Sequence, residues 1–313
     1  MKKEVTERRE RWERGSSLIA VFWLMAVLSL AVFTTTHLVS DDMNIIIAQK
    51  KSFRADQLAE KGIALAMNPV VEPWDPILIQ QFEGQQGFEA TIKQEGGRLN
   101  INSLLLREDR LPLEDLFTYW GLEGDQASEV VDALLDWIDS DDLESTNGAE
   151  VEYYEELGYE NYPFNRPFYD IEEMALVRGM DFVSEFQPNW RDYFTLWSQG
   201  PLNLNEASAE LLEVITGVSA NAAEEFVYER TGYDGIEGTE DDVVYASVDE
   251  ALLLLGANEN SVPGLLGRIG VSDNTVRIEC TANVGDYLKT VVLVVRNRES
   301  QPIILTREEL FYR

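Results

Sequence analysis

A dense run of carboxylates is the part of this 313-residue sequence best suited to chemistry. Residues 111–165 include sixteen Asp and Glu residues and neither Lys nor Arg. Carboxylates at this density repel one another unless water or a cation lies between them. Ca²⁺ takes about six to eight oxygen ligands in flexible loops. Suitable ligands surround the end of a predicted helix in D-W-I-D-S-D-D-L-E-S-T-N-G-A-E-V-E, namely Asp139, Asp141, Asp142, Glu150 and Glu152. A solvated acidic surface is the competing interpretation.

A second acidic loop, Y-D-G-I-E-G-T-E-D-D, has two glycines that allow tight turns. Its carboxylates are a weaker candidate set for a cation, and they are Asp234, Glu237, Glu240, Asp241 and Asp242. The spacing is not that of an EF-hand. A metal-binding loop and a solvated hairpin loop both remain open interpretations here.

The scarcity of His and Cys excludes most catalytic chemistry. His37 is the single histidine and Cys280 the single cysteine, so zinc sites, Ser-His-Asp triads, Cys-His dyads and an internal disulfide cannot be assembled. Cys280 in R-I-E-C-T-A is typical of a small apolar side chain on a strand. Carboxylate chemistry alone stays formally open, but abundant acids are not evidence of a tuned pair. We therefore expect no enzymatic activity.

The net charge of −32 disfavours two kinds of partner. Such an acidic chain repels both the phosphates of nucleic acids and anionic lipid surfaces.

The N-terminus predicts a membrane anchor. A charged leader ends in Arg14-Gly15, and the uncharged residues 16–40 that follow are long enough to cross a bilayer. No A-x-A cleavage site follows the apolar stretch. Basic residues in the leader and Asp41-Asp42 beyond the span place the leader in the cytoplasm and the rest outside. This order is typical of prepilin-type substrates, and an unprocessed anchor is the alternative.

The elements that position these acids point to an α+β fold. Small and apolar residues recur at helical spacing from Ala48 to Ala66, which predicts that the N-terminal helix continues and packs closely on a sheet. Alternating residues predict a hairpin around Gly96-Gly97, a second strand pair at 276–282 and 288–296, and a short edge strand at 302–306. Residues 103–270 are mostly helical, and we expect this domain to be inserted between strands of one antiparallel sheet.

The helical region contains an internal similarity. R-L-N-I-N-S from Arg98 and P-L-N-L-N-E-A-S from Pro201 each precede two helices joined by a glycine turn, at Gly121 and Gly217. These are predicted helix-hairpin-helix (SAM-like) modules. Such modules bind DNA phosphates in other proteins, but the second copy is rich in glutamate, so we favour a packing role.

These features together resemble the minor pseudopilin K family of type II secretion. The resemblance rests on R-G-S-S-L-I-A-V, R-L-N-I-N-S-L-L, D-W-I-D-S-D-D, G-A-E-V-E-Y-Y, I-E-E-M-A-L-V-R-G-M and P-L-N-L-N-E-A-S, and it runs over almost the full length. It implies a leader at 1–15, a transmembrane and pilin helix at 16–68, sheet segments at 69–102 and 271–313, and an inserted helical domain at 103–270. Ser at the first mature position departs from the larger apolar residue usual in pilins.

The resemblance also implies a processing pathway and partners. Prepilin peptidase would cut after Gly15 and methylate Ser16. Ala20 stands at the fifth mature position, where most pilins have glutamate and this family does not, which fits a subunit at the filament tip. The family binds Ca²⁺ in the inserted domain, best matched by Asp139, Asp141, Asp142, Glu150 and Glu152. The implied partners are the I and J minor pseudopilins, the major pseudopilin and the inner-membrane assembly platform. The implied location is the inner membrane, with a periplasmic C-terminal domain.

Two other functions are compatible with parts of the sequence. A membrane-anchored DNA receptor would use the hairpin modules, and a type IV pilus minor pilin would share the N-terminus. The family motifs favour the secretion pseudopilin over both.

Overall fold

The computed structural model describes residues 2–259 and 262–312. Its helices are α1 (Lys2–Ala66), α2 (Ile101–Leu106), α3 (Leu111–Tyr119), α4 (Gly124–Ile138), α5 (Val151–Glu156), α6 (Met180–Phe186), α7 (Ala209–Thr216), α8 (Ala220–Arg230) and α9 (Val248–Leu255). Its strands are β1 (Ile79–Phe82), β2 (Gln86–Gln94), β3 (Leu99–Asn100), β4 (Phe194–Thr195), β5 (Leu202–Asn203), β6 (Ile269–Gly270), β7 (Thr275–Val284), β8 (Tyr287–Arg296) and β9 (Ile303–Tyr312).

The long helix α1 has two parts with different surroundings. Leu18–Thr36 is uncharged, fully unburied within the chain and long enough to cross a bilayer. The hydroxyls of Thr34, Thr35 and Thr36 donate to backbone carbonyls one turn earlier, so they need no other partner in an apolar environment. The last turns are instead buried against a sheet.

A five-stranded antiparallel sheet packs on the end of α1. Its strand order is β1-β2-β7-β8-β9. Ala55, Leu58, Ala59 and Ile63 of α1 share one apolar core with the inward side chains of β2, β7 and β8. Gly62 permits the close approach, because a Cβ atom there would lie 2.3 Å from Cys280 Sγ. The predicted small-residue stripe is therefore the packing face.

The far end of α1 is fixed by an arginine that follows β8. Arg298 is buried, and its Nε donates to Ala66 O at 2.7 Å while Nη2 donates to Asn68 O at 2.6 Å. The last carbonyls of a helix have no partner within the helix. A guanidinium from the sheet supplies that partner and ties the two elements together.

The helical insert (residues 95–274) leaves the sheet after β2 and returns at β7. It has its own apolar core, which extends from Leu99 to Ile269 and is separate from the core under α1. Gln94 and Val276 are register partners at the point of departure and return. The α+β fold with a mostly helical insertion between strands is thus confirmed.

The hairpin predicted around Gly96-Gly97 is wrong. β2 pairs with β1 and β7, and the glycines lie in a short 3-10 helix (Glu95–Gly97) that leads into the insert. Both glycines are needed because distant residues lie close to them. A Cβ atom at Gly96 would lie 2.8 Å from Asp273 Cβ, and a Cβ atom at Gly97 would lie 2.8 Å from Glu206 O. The edge strand expected at 302–306 is also longer, and forms β9.

The two L-N-x-N segments occupy equivalent places in the insert. Leu99-Asn100 pairs in parallel with Phe194-Thr195, and Leu202-Asn203 pairs in parallel with Ile269-Gly270. The helix pairs α3–α4 and α7–α8 follow, with left-handed glycines at the turns. The copies differ because α2 follows directly on the first segment, where the Asn100 side chain accepts from Ser103 N.

Candidate metal centre

Three carboxylates converge where α4 ends and α5 begins. Asp136, Asp139 and Glu150 each offer an oxygen within 4.8 Å of the others, and the described residues contain no second group of this kind. Asp136 lies in the last turn of α4, Asp139 caps its C-terminus and Glu150 immediately precedes α5. The helix end and the returning loop therefore bring together acids that are fourteen positions apart in sequence.

Two carboxylates of α4 hold the connecting loop by its backbone. Asp136 accepts from the N–H groups of Ser145 and Ala149, the latter at 2.9 Å. Asp132, one turn earlier, accepts from Asn147 N at 3.2 Å and from the Arg110 guanidinium. Both carboxyl groups are almost fully buried. Buried carboxylates need such partners, and here the partners also fix the path of the loop.

Glu150 is the least satisfied group of the three. It is 4% exposed, and neither carboxylate oxygen has a hydrogen-bond partner among the described residues. Burial raises the pKa of Glu150 to about 7, and the charges of Asp136 and Asp139 act in the same direction. Burial and neighbouring aspartates raise the pKa of Asp139 as well. A hard divalent cation would satisfy these oxygens and remove the repulsion between them.

The donor set fits Ca²⁺. Carboxylate oxygens without nitrogen or sulfur ligands are the choice of a hard cation, and a helix end with a loop is the flexible setting that calcium accepts. Three carboxylates leave room for carbonyl or water oxygens in the remaining coordination positions. A bound cation would explain why three carboxylates lie so close together, whereas a purely solvated surface would not.

Residues of the V-R-G-M motif support the same loop. Arg178 Nη1 donates to Gly148 O at 2.7 Å, and Arg178 N donates to the Tyr154 hydroxyl at 3.2 Å. Gly179 has a φ of +83° and lies against α4, where a Cβ atom would be 2.7 Å from Val130 Cγ2. Motifs that are separated in sequence thus meet around the three carboxylates.

The predicted ligand set is only partly brought together. Asp139 and Glu150 lie in the cluster, whereas Asp141, Asp142 and Glu152 do not. Asp141 Oδ1 instead accepts from Leu143 N at 2.9 Å, Asp142 Oδ1 accepts from Asn165 Nδ2 at 3.2 Å, and Glu152 is exposed on α5. Asp136 was missed as a ligand. Its place between Ala133 and Trp137 on the buried face of α4 is the signal that could have found it.

The second acidic loop folds on itself, and its carboxylates form no candidate metal cluster in the described chain. Asp241 Oδ2 accepts a hydrogen bond from Tyr233 N at 2.6 Å, and Asp242 Oδ2 accepts one from Gly238 N at 2.7 Å. Asp234 Oδ1 accepts from Ile236 N at 2.8 Å. Glu237 joins the insert to the sheet through ion pairs with Arg230 and Lys93, and Glu240 is exposed.

The second hairpin module lacks a cationic surface for phosphate. Arg230, at the end of α8, is buried and donates to the carbonyls of Leu204 and Ala207, both at 2.9 Å. Glu224, Glu225 and Glu229 are the charged residues that α8 exposes. Binding to DNA requires accessible cations at the contact, so the arrangement favours the packing role.

The predicted processing site falls on α1. Gly15 and Ser16 belong to the backbone of α1, and their side chains lie outside the described residues. Ala20 is described and is exposed on the apolar segment.

Comparisons with known proteins find a family model and a curated relative that match part of the chain. Residues 97–184 match the family model described as type II secretion system (T2SS), protein K. Type II secretion system protein K of Pectobacterium carotovorum subsp. carotovorum is 38% identical over 72 residues, which are 23% of this chain and 21% of that protein. Residues 97–184 are thus similar to protein K of type II secretion systems. The matched stretch spans about a fifth of the length of this curated relative.

A solved structure has a similar fold. The GspK-GspI-GspJ complex of the enterotoxigenic Escherichia coli type II secretion system includes a chain that matches with a TM-score of 0.61 and 17% identity. The match covers 87% of this chain and 98% of that one. At this identity the likeness concerns the fold alone.

Proposed function

We propose that this protein is a non-enzymatic minor pseudopilin that occupies the tip of the type II secretion pseudopilus, starts its assembly and supports protein export across the outer membrane. The observation that carries the proposal is the placement of the insert. A helical domain larger than the sheet itself is attached to the end of the sheet by β2 and β7. Identical subunits stacked along a filament need the space beside each sheet for their neighbours, whereas a subunit at the end does not.

The N-terminus supports the same position. After cleavage behind Gly15 by prepilin peptidase and methylation of Ser16, the fifth residue is Ala20. A glutamate there would pair with the amine of a neighbouring subunit, and Ala20 offers no charge for that contact. The apolar surface of Leu18–Thr36 would first lie in the inner membrane and then pack in the filament core. The C-terminal domain would then lie in the periplasm.

The partners follow from the relatives. The solved relative is in a complex with GspI and GspJ, and we propose that this chain binds the corresponding I and J minor pseudopilins. The major pseudopilin and the inner-membrane assembly platform would interact with this tip complex. We expect no nucleic-acid partner, because the net charge of −32 repels phosphates.

We further propose that Ca²⁺ is bound by Asp136, Asp139 and Glu150. The two unpartnered oxygens of buried Glu150 are the support for this assignment. The ion would join the end of α4 to the start of α5 and so stabilise the insert.

Co-purification tests the proposed assembly. The full chain with a C-terminal tag is co-expressed with its I and J minor pseudopilins and prepilin peptidase, extracted in detergent and isolated. We expect both partners to co-elute, and mass spectrometry to find an N-terminal peptide that begins with methylated Ser16. Recovery of the chain alone would contradict the tip complex, and an intact Met1 leader would contradict the processing.

A further inference from the structure

Two arginines stand apart from the others in their hydrogen bonding. Beyond residue 40, every arginine side chain that the structure describes donates at least one hydrogen bond except those of Arg98 and Arg277. The nearest approach of Arg98 to a carboxylate is the 4.0 Å distance from its Nη1 to Glu95 Oε1. This is unexpected in a chain with 57 acidic and 25 basic residues, since carboxylates are plentiful.

Arg98 and Arg277 lie in the same place. Both line a groove of about 410 Å³ between the sheet and the insert, and both also line the adjoining cleft of about 250 Å³. Arg277 projects from β7, where its register partner on β2 is Lys93. Arg98 immediately precedes β3, at the start of the insert. Two arginines therefore lie near each other where the sheet and the insert meet, in a groove that carboxylates also line.

Neighbouring charges leave this pair incompletely compensated. Burial lowers the pKa of the Arg98 guanidinium, and the positive charge of Arg277 acts in the same direction. Glu95, Asp192 and Glu279 offset part of the charge of Arg98, with Glu95 in an ion pair with it at 4.0 Å. Glu95 Oε1 is already bound by the Thr195 hydroxyl at 2.6 Å. Lys93 is paired with Glu237 at 3.0 Å, so it does not compete for an added anion.

We propose that Arg98 and Arg277 form a binding site for a carboxylate. Guanidinium groups present parallel N–H donors that match the two oxygens of a carboxylate. A phosphate would fit the same donors, but the nearby Glu95, Asp192 and Glu279 disfavour a dianion more than a singly charged group. Gln187, Asn189 and Ser208 on the same groove add polar atoms for the rest of the ligand. The carboxylate could come from a small organic acid or from an acidic side chain of a partner protein.

The site is tested by observing the arginines directly. The full chain, labelled with ¹⁵N-arginine and held in a non-ionic detergent, is titrated with sodium acetate and, separately, with sodium chloride at equal ionic strength. We expect the Nε–H signals of Arg98 and Arg277, assigned from Arg98→Lys and Arg277→Lys, to shift saturably with acetate only. Equal shifts with both salts, or no shift with acetate or with the peptide described next, would overturn the proposal.

A second titration distinguishes the two sources of the carboxylate. A short blocked peptide with one Glu is compared with the same peptide carrying Gln. If the Glu peptide saturates the signals at a concentration at least tenfold lower than acetate does, a protein side chain is the ligand. If acetate saturates them and the peptide does not, a small acid is the ligand. A response to the Gln peptide equal to that of the Glu peptide would overturn carboxylate recognition.

Variants separate binding from folding. Arg98→Gln and Arg277→Gln should each weaken acetate binding at least tenfold, and Arg307→Gln on β9 should leave it unchanged. Because Arg277→Gln also relieves repulsion from Arg98, we expect it to melt at a higher temperature than the wild type without acetate. Acetate should reduce that difference. Unchanged acetate binding in both glutamine variants would overturn the assignment of these two residues.

Discussion

Gly148 and Asp136 are in such close contact that a Cβ atom on Gly148 would lie 1.8 Å from Asp136 Oδ2. The loop can approach the carboxylate and donate the Ala149 N–H to it at 2.9 Å only because residue 148 has no side chain. The glycine of the G-A-E motif is thus explained by the same contact that positions Asp136 beside Asp139 and Glu150.

Substitution of Gly148 by Ala should therefore disturb the loop and the carboxylates together. We expect Gly148→Ala to lower the free energy of unfolding by about 1–3 kcal/mol, the usual cost of overpacking a buried site. Gly124→Ala is the matched control, since a Cβ atom there has nothing within 4 Å. Chemical denaturation measures both variants. Equal stability of Gly148→Ala and the wild type would contradict the packing account.

Calcium should stabilise the protein through the three clustered carboxylates. An ion that binds only the folded state at a concentration 100 times its Kd adds about 2.7 kcal/mol of stability. We expect Tm to rise with added Ca²⁺ relative to EGTA, and Asp136→Asn or Glu150→Gln to remove most of the rise.

Glu152→Gln is the control for the calcium prediction. Glu152 belongs to the ligand set expected from sequence, but it is exposed and outside the cluster. Its substitution should leave the calcium-dependent rise in Tm intact. A loss of the rise in Glu152→Gln with retention in Glu150→Gln would restore the sequence-based ligand set instead.

Glu206 should make stability depend on pH. Burial raises the pKa of Glu206 from 4.5 to about 7, with Glu237 acting in the same direction and Arg230, Lys93 and the Gln94 backbone N–H acting against it. The folded state therefore binds the proton more tightly than the unfolded state does. The corresponding stability is present below pH 4.5 and is lost as pH rises through about 7.

Glu206→Gln should flatten this part of the pH profile. We expect the variant to exceed the wild type in stability at about pH 8, by up to about 3 kcal/mol. Denaturation curves between about pH 5 and pH 8 measure the difference, and exposed Glu240→Gln should retain the wild-type profile. If Glu206→Gln keeps the wild-type dependence of stability on pH, a group other than Glu206 causes that dependence.

Gly62 should tolerate no side chain, because it lies under Cys280 and Phe88 of the sheet. A Cβ atom at residue 62 would lie 2.3 Å from Cys280 Sγ and 2.8 Å from Phe88 Cδ2. We expect Gly62→Ala to lower the free energy of unfolding by about 1–3 kcal/mol. This loss should occur although Ala favours a helix over Gly by about 1 kcal/mol. Adding Cys280→Ala should recover part of the loss. Gly267→Ala, with open space around it, should have little effect.

Elements with a regular pattern were predictable from the sequence. The stripe from Ala55 to Ala66 identifies the packing face of α1, because small residues at helical spacing permit close contact. Alternating residues likewise identify β7 and β8. Burial raises the pKa of the Cys280 thiol to about 12, in keeping with the small apolar side chain expected on a strand.

Features set by distant contacts were not predictable. The Gly96-Gly97 pair is typical of a turn in a hairpin, but its glycines serve contacts with Asp273 and Glu206, which are over a hundred residues away. Asp136 was overlooked because ligands were sought among loop residues, whereas it lies on the buried face of a helix. The placement of Arg98 and Arg277 on one groove depends likewise on distant contacts and has no local signal.

The register of β2 and β7 provides a direct test of the tip position. Gln94 and Val276 are partners, so Asn-Gly in place of residues 95–275 would close a two-residue hairpin and remove the insert. Pseudopili assembled with either form, each carrying a tag at the C-terminus, are labelled with gold and imaged by electron microscopy. We predict gold at one end only for the full chain, and along the shaft for the form without the insert. Gold along the shaft for the full chain would contradict the account.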